Sequence, residues 1–127
     1  MIAVDTSALM AIVLGEPQGE VCMTAIEEAD GLLISAGTVA EALIVAARRD
    51  IRDEVAALVS GLGFEIVSVT AASARRIADA YGRWGKGAHL ASLNYGDCFA
   101  YEVAIEHNCP LLYVGDDFVQ TDVRSAL

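Results

Sequence analysis

Four short apolar segments alternate along the chain with longer segments whose apolar residues recur at helical spacing. The short segments predict buried β-strands at Ile2–Val4, Leu32–Ser35, Phe64–Val69 and Leu111–Val114. Because helices separate the strands, the pattern predicts a parallel sheet that is covered by helices on both faces. We therefore expect an α/β fold, in which ligands bind beyond the carboxyl ends of the strands.

Capping residues and turn signals divide the rest of the chain into six predicted helices. Thr38 precedes Glu41 by three residues, which is the spacing of a capping box. The predicted helices cover Ser7–Leu14, Pro17 to about Ala29, Thr38 to about Arg49, Ile51–Leu62, Thr70 to about Trp84 and Asn94 to about His107. No repeat or low-complexity segment interrupts them, so we expect a single domain over residues 1–127.

Composition excludes several classes of protein. Hydrophobic residues make up 55% of the chain and charged residues 20%, which excludes intrinsic disorder. Charges interrupt every apolar run before the ~20 residues that a membrane-spanning helix needs. The first segment has no basic residue and contains Asp5, so we expect no secretory signal. Cys22, Cys98 and Cys109 lie in apolar surroundings and predict reduced thiols in a cytoplasmic protein rather than a disulfide scaffold.

The charge balance is strongly acidic, with 18 Asp and Glu residues against 8 Lys and Arg residues and a net charge of −10. This balance disfavours nucleic-acid binding through a broad basic face. It leaves three interpretations, namely a cation-binding acidic site, a basic partner protein or a solubilising surface. The positions of the acids decide among them.

Acidic residues interrupt apolar sequence at four places. Asp5 is the only charge in the first fifteen residues, and Glu41 is the only charge between positions 32 and 47. Asp97 lies in the first turn of a predicted helix, and Asp116 and Asp117 directly follow the last strand. Each has an ordinary structural alternative as a helix cap, a first-turn acid or a turn residue. Together, however, they are placed to meet at one edge of the sheet.

Carboxylates gathered in this way need a cation. Two like charges ~4 Å apart repel by about 4 kcal/mol at an effective dielectric constant of 20. A site of oxygen ligands without His or Cys favours Mg²⁺ or Mn²⁺, and such ions typically serve phosphoryl chemistry. Thr6 and Ser7 are candidates to hydrogen-bond a carboxylate or a bound water and so fix its geometry.

A local excess of positive charge precedes Asp97 in the chain. Arg83, Lys86 and His89 lie in or next to a glycine-containing loop, together with Trp84, and predict contact with phosphates and unstacked bases. Arg75 and Arg76 fit substrate contact and a solvated helix face equally well. A single histidine is also compatible with a structural role.

These residues occur in four segments that resemble PIN-domain ribonucleases of the VapC toxin type. The segments are IAVDTSALMAIVLGEP, SAGTVAEALIVAARR, YGRWGKGAHLASLNYGDCFAYEVA and PLLYVGDDFVQTDV. The resemblance implies a three-layer α/β/α fold with a central parallel sheet of four to five strands and an acidic Mg²⁺ or Mn²⁺ site. It also implies endonucleolytic cleavage of RNA, inhibition by a VapB-like antitoxin that occupies the cleft, and a homodimer.

The resemblance assigns the four acids of the family residue by residue. The first three match Asp5, Glu41 and Asp97, and the fourth falls in GDDF, where Asp117 is favoured over Asp116. We expect these residues to bind the metal and carry the chemistry.

Two further positions qualify the resemblance. Asp122 also matches a recurring position, although a turn cap is the favoured role for it. Relatives often carry Arg and Pro where this chain has Ala88 and Leu90, so RNA contact by this loop is predicted less firmly than metal binding.

Three other classes of protein share some of these features with a nuclease. A phosphoacceptor receiver domain needs paired acids near its start and a lysine after a late strand, yet the only lysine, Lys86, lies in a loop before a helix. A haloacid-dehalogenase phosphatase needs an acid two residues after Asp5, where Ser7 stands. A catalytically silent binding protein is disfavoured by the intact acids.

Overall fold

The computed structural model describes residues 1–127 as four strands and six helices. In chain order these are β1 (Ile2–Val4), α1 (Thr6–Val13), α2 (Gly19–Glu28), β2 (Leu32–Ser35), α3 (Ala36–Arg48), α4 (Arg52–Gly61), β3 (Glu65–Val67), α5 (Ala71–Trp84), α6 (Tyr95–Glu106) and β4 (Leu111–Leu112). All four strands are parallel, in the order β3-β2-β1-β4. The predicted parallel α/β fold is confirmed.

The central strand sets the register of the sheet. Ala3 of β1 lies opposite Leu33 of β2 on one side and Leu111 of β4 on the other. One isolated parallel bridge joins Leu111 to Ser125, so the last residues of the chain extend the sheet without forming a fifth strand. The carboxyl ends of β1, β2 and β4 therefore lie side by side, and the residues that follow them share one edge.

Successive residues of each strand belong to different halves of the core, because side chains alternate between the two faces of a sheet. Ala3, Leu33 and Leu111 pack with α5 and α6. Their chain neighbours on the opposite face join an apolar cluster with α1 to α4, and these neighbours are Val4, Ile34 and Leu112. The result is the predicted three-layer α/β/α arrangement.

The start of α3 differs from the prediction. Ser35, the last residue of β2, is the N-cap, and its hydroxyl accepts a hydrogen bond from the Gly37 N–H at 3.1 Å. Because the chain passes from strand to helix without a loop, Thr38 lies inside the first turn, fully buried and without a hydrogen-bond partner for its hydroxyl. The predicted capping box of Thr38 and Glu41 is therefore wrong.

Two strands are shorter than predicted. The strand β3 is an edge strand whose pairing is limited to Leu33–Ser35 of β2. The strand β4 ends at Leu112, and the N–H of Val114 donates to the Ser7 hydroxyl at 3.0 Å instead of to a strand. Apolar sequence continues past both strand ends, which is why the pattern overestimated them.

Two further features of the structure are the length of its helices and the burial of its cysteines. None of the six helices combines the length and the apolar character that crossing a membrane requires. Cys22, Cys98 and Cys109 are all buried and free, as their apolar surroundings predicted.

Candidate active site: an acidic cleft at the carboxyl edge of the sheet

Asp5 directly follows the central strand β1 and is the N-cap of α1. Its Oδ2 accepts hydrogen bonds from the Ser7 N–H at 3.1 Å and from the Ser7 hydroxyl at 2.6 Å. Its Oδ1 is buried and has no hydrogen-bond partner, and the residue is only 4% exposed. A buried carboxylate oxygen without a donor is unfavourable unless a ligand or a cation completes it.

Glu41 reaches the same region from α3, at a half-buried position. The Thr6 hydroxyl donates to its Oε1 at 2.6 Å, which ties the start of α1 to α3. Its Oε2 lies against Gly96, where an added Cβ would stand only 1.7 Å from that oxygen. Gly96 therefore allows the first turn of α6 to approach the Glu41 carboxylate.

Asp97 is the next residue of α6, and it is 9% exposed. Its Oδ2 accepts a hydrogen bond from the Asn94 N–H at 2.9 Å, so the carboxylate is oriented by the start of its own helix. An acid in this first turn is also stabilised by the helix dipole.

The pair that follows β4 lies on an exposed turn after Gly115, which has a φ of +98°. Of the two acids, only Asp117 raises the pKa of Asp97 through its negative charge. Of the pair, Asp117 rather than Asp116 is therefore the acid whose charge acts on Asp97. The buried Phe118 that follows holds this turn against the core.

Burial and mutual repulsion keep two of these acids from ionising normally. Burial, assisted by the charges of Asp97 and Glu41, raises the pKa of Asp5 to about 7 against the opposing hydrogen bonds from Ser7. Burial, with the charges of Asp117 and Glu41, raises the pKa of Asp97 to about 6. None of the four carboxylates takes part in an ion pair. We call these four carboxylates the acidic cleft. No Lys, Arg or His side chain lies within ion-pair distance to compensate their charge.

The donor set fits a hard divalent cation. The carboxylates act on one another electrostatically, but no three acidic, His or Cys side chains are arranged as a closed metal-binding group. Mg²⁺ ordinarily keeps several waters and takes one or two protein carboxylates, so it does not require such a group. The unpartnered Oδ1 of Asp5 and the uncompensated charge around it are what such an ion would satisfy.

The predicted basic residues lie on and beside the loop between α5 and α6. Lys86 and His89 are exposed. The Nδ1 of His89 accepts a hydrogen bond from the Ala91 N–H at 2.9 Å, and its ring meets that of Trp84 edge-on at 4.7 Å. Trp84 is only 8% exposed, so its predicted role in stacking on a base is wrong. The ring packs into the core instead.

Arg83 and Arg76 have structural partners within the protein. Arg83 lies 4.5 Å above the Trp84 ring, and its guanidinium is 3.7 Å from the Asp122 carboxylate. Arg76 pairs with the buried Glu102 at 2.9 Å. Asp122 accepts a hydrogen bond from the Tyr101 hydroxyl at 2.6 Å, so the predicted turn cap is wrong for Asp122.

Sequence reasoning missed Gly96 and Tyr101. Gly96 has no charge or donor group to attract attention, and its importance depends on a contact with another helix. Tyr101, in contrast, follows Asp97 by four residues and therefore lies on the same face of α6. That spacing could have identified it.

The fold, a parallel sheet between two layers of helices, defines the class of this protein as a three-layer α/β/α domain. Within that class, the family model of the PIN domain matches residues 2–124. The chain therefore belongs to the PIN-domain family.

Similar proteins indicate which group of PIN-domain proteins the chain belongs to. The chain is 44% identical over 125 residues to VapC ribonuclease Mb2004c of Mycobacterium bovis, covering 95% of this chain and 90% of the relative. It is 41% identical over 128 residues to Ribonuclease VapC42 of Mycobacterium tuberculosis, covering 97% of each chain. These similarities place the chain among the VapC ribonucleases.

Solved structures agree with the fold. The crystal structure of VapC20 from Mycobacterium tuberculosis, described as a Sarcin-Ricin loop cleaving toxin, matches with a TM-score of 0.78 at 16% identity and covers 97% of this chain and 96% of that one. A toxin–antitoxin complex from Klebsiella pneumoniae matches with a TM-score of 0.71 at 18% identity, covering 96% of this chain and 93% of that one. At these identities the similarity concerns the fold.

Proposed function

We propose that the protein is a Mg²⁺- or Mn²⁺-dependent endoribonuclease that acts as the toxin of a toxin–antitoxin pair. The observation that carries the proposal is the buried, unpartnered Oδ1 of Asp5 in a cleft shared with Glu41, Asp97 and Asp117. A divalent ion there would activate water and neutralise charge at the scissile phosphate of RNA.

The side chains divide the work by position and burial. Asp5 and Asp97, the two most buried of the four site acids, would hold the ion, directly or through water. Glu41 and the more exposed Asp117 would complete the cage and orient the attacking water. The hydroxyl of Ser7 fixes Asp5, since its hydrogen bond leaves Oδ1 as the free oxygen.

Four other residues extend this arrangement beyond the acids. Thr6 holds Glu41 through a 2.6 Å hydrogen bond. At the mouth of the cleft, Lys86 and His89 are exposed for contact with RNA phosphates. Arg83 is the third predicted RNA contact, and it would reach RNA only by giving up part of its pairing with Asp122.

The proposed protein partner is a VapB-like antitoxin. A structurally similar chain comes from a toxin–antitoxin complex, and the curated relatives are VapC proteins. The net charge of −10 and the uncompensated cleft suit an antitoxin that inserts Arg or Lys among the carboxylates. A homodimer follows from the family resemblance, and three free buried thiols fit a reducing, cytoplasmic compartment.

The test compares Asp5→Asn with the wild type and with Asp53→Asn, a matched variant of an exposed acid on α4. RNA cleavage is measured in Mn²⁺ and again in excess chelator. We expect Asp5→Asn and chelator each to abolish cleavage, while Asp53→Asn cleaves as the wild type does. Full activity of Asp5→Asn, or cleavage that chelator leaves unchanged, would contradict the proposal. A wild type that binds its antitoxin but never cleaves RNA would indicate a silent binding protein.

A further inference from the structure

Three side chains form a hydrogen-bonded chain from the core to the exposed Asp122, and the proposed chemistry does not use it. The Trp84 indole N–H donates to the Tyr101 hydroxyl at 2.9 Å, and that hydroxyl donates to Asp122 Oδ1 at 2.6 Å. We call Trp84, Tyr101 and Asp122 the relay. Trp84 and Tyr101 are buried, and the relay joins the end of α5, the middle of α6 and the C-terminal segment.

One end of the relay lies beside the acidic cleft. Tyr101 stands one helical turn after Asp97 on the same face of α6. Asp122 follows Asp117 by five residues, and hydrogen bonds of the Thr121 backbone and hydroxyl to the Phe118 carbonyl shape the turn between the two acids. The same two segments carry the like charges of Asp97 and Asp117, which repel each other. They are also joined by the hydrogen bond from Tyr101 to Asp122.

The other end of the relay lies beneath the loop that carries the proposed RNA contacts. The guanidinium of Arg83 covers the Trp84 ring, and His89 meets that ring edge-on. The N–H of Leu93 donates to the Trp84 carbonyl at 3.0 Å and closes the base of the loop, on which Lys86 also lies. The indole thus contacts two residues at this loop, Arg83 and His89.

We propose that Tyr101 is a positioning residue of the nuclease. Its hydroxyl holds Asp117 within reach of Asp97 and holds the indole that supports the loop of Lys86 and His89. This inference rests on the proposed function and names a group that never touches the substrate. Loss of the hydroxyl would leave the buried Trp84 N–H without an acceptor and would break the link from α6 to Asp122, which would let the like charges separate.

The deciding variant is Tyr101→Phe, and Tyr113→Phe is its matched control. The Tyr113 ring packs against the same apolar cluster, 5.1 Å from Phe118, but its hydroxyl makes no hydrogen bond in the structure. Mn²⁺ affinity is measured by calorimetric titration, and kcat and KM are measured on RNA at saturating Mn²⁺. Emission from Trp84, the only tryptophan of the chain, reports the relay directly.

We expect Tyr101→Phe to raise the Kd for Mn²⁺ about 10-fold, because residues that orient metal ligands are typically worth about 10 to 100-fold. We also expect a higher KM for RNA and a shifted Trp84 emission, with none of these changes in Tyr113→Phe. A Tyr101→Phe protein that melts earlier but keeps the Kd and the KM of the wild type would overturn the inference.

Two further outcomes keep the test decisive. If Tyr101→Phe does not fold, Asp122→Ala removes the acceptor instead, and the same rise in Kd and KM is expected from it. A wild type that binds Mn²⁺ but leaves RNA intact would contradict the proposed function alone, since the Kd values would still decide the role of Tyr101.

Discussion

Among the four site acids, Asp5 has the surroundings least favourable to an ionised carboxylate. Folding removes its carboxylate from water, gives one oxygen two donors from Ser7 and gives the other oxygen none. The nearby charges of Asp97 and Glu41 add repulsion to the burial. A side chain selected only for stability would not be kept in this state, which is typical of a functional group.

The raised pKa of Asp5 gives a pH dependence for the metal-free protein. Because the pKa rises from 3.8 to about 7 on folding, the native state binds this proton more tightly than the unfolded chain does. The contribution to stability is therefore complete below about pH 4 and is lost as the pH rises toward 7. In chelator, the melting temperature of Asp5→Asn should exceed that of the wild type by a margin that grows between pH 5 and pH 8, reaching ~5 °C. A margin independent of pH would argue against a buried, uncompensated carboxylate.

Gly96 permits a second test at a single position. In Gly96→Ala the new Cβ would meet Glu41 Oε2, so the carboxylate must move, and we expect cleavage of RNA to fall at least about 10-fold. Gly82→Ala on α5 is the matched control, because a Cβ there meets no atom within 4 Å. That control should keep its activity and gain up to ~1 kcal/mol in helix stability. Equal activities of the two variants would show that Glu41 does not need its present position.

Among the secondary-structure elements, α1 and the end of β4 are joined by one side-chain hydroxyl, beside the backbone hydrogen bond from Asp5 to Leu112. Ser7 donates to Asp5 and accepts from the Val114 N–H, so it joins the two strand ends that carry Asp5 and the GDDF turn. The strand β4 is short because the Val114 N–H donates to the Ser7 side chain instead of to a neighbouring strand.

Ser7→Ala should therefore destabilise the fold and also raise the pKa of Asp5 further. The Val114 N–H and the Asp5 carboxylate would both lose a partner, which we expect to lower the free energy of unfolding by about 1–3 kcal/mol in urea titrations at pH 8. Ser60→Ala, on the exposed surface of α4, should change it by less than about 0.5 kcal/mol. The account of this junction fails if the two variants are equally stable.

The order and type of the elements could be predicted from the sequence because each strand is a short apolar run bounded by a cap or a turn. Thr70 was identified correctly as the N-cap of α5. The start of α3 could not be fixed in this way, since Ser35 and Thr38 are both able to cap and only the direct passage from β2 selects Ser35.

The candidate acids stand out in the sequence as charges in or directly after apolar segments. The choice of Asp117 over Asp116 comes from the family resemblance and stays a prediction. Contacts between elements, such as Tyr101 with Asp122 or Gly96 with Glu41, depend on packing that no local pattern encodes. For the same reason, the burial of Trp84 was not foreseen.

At the scale of the whole molecule, the candidate acids and the candidate RNA contacts lie in two regions. The four acids lie near the carboxyl edge of the sheet without an ion-pair partner, while Lys86 and His89 lie exposed on the loop that leads into α6. Most other acids are exposed and contribute to the net charge of −10. An RNA phosphate that enters between the two regions would meet positive charge from the loop, and it would need a cation on the acidic side.

The most direct measurement is the anomalous scattering of crystals soaked in Mn²⁺ near neutral pH. The account predicts one or two peaks in the cleft, each contacting Asp5 or Asp97 directly or through water, and none in crystals of Asp5→Asn. A wild-type crystal with no peak in the cleft, and with Asp5 Oδ1 still unpartnered at a saturating Mn²⁺ concentration, would contradict it.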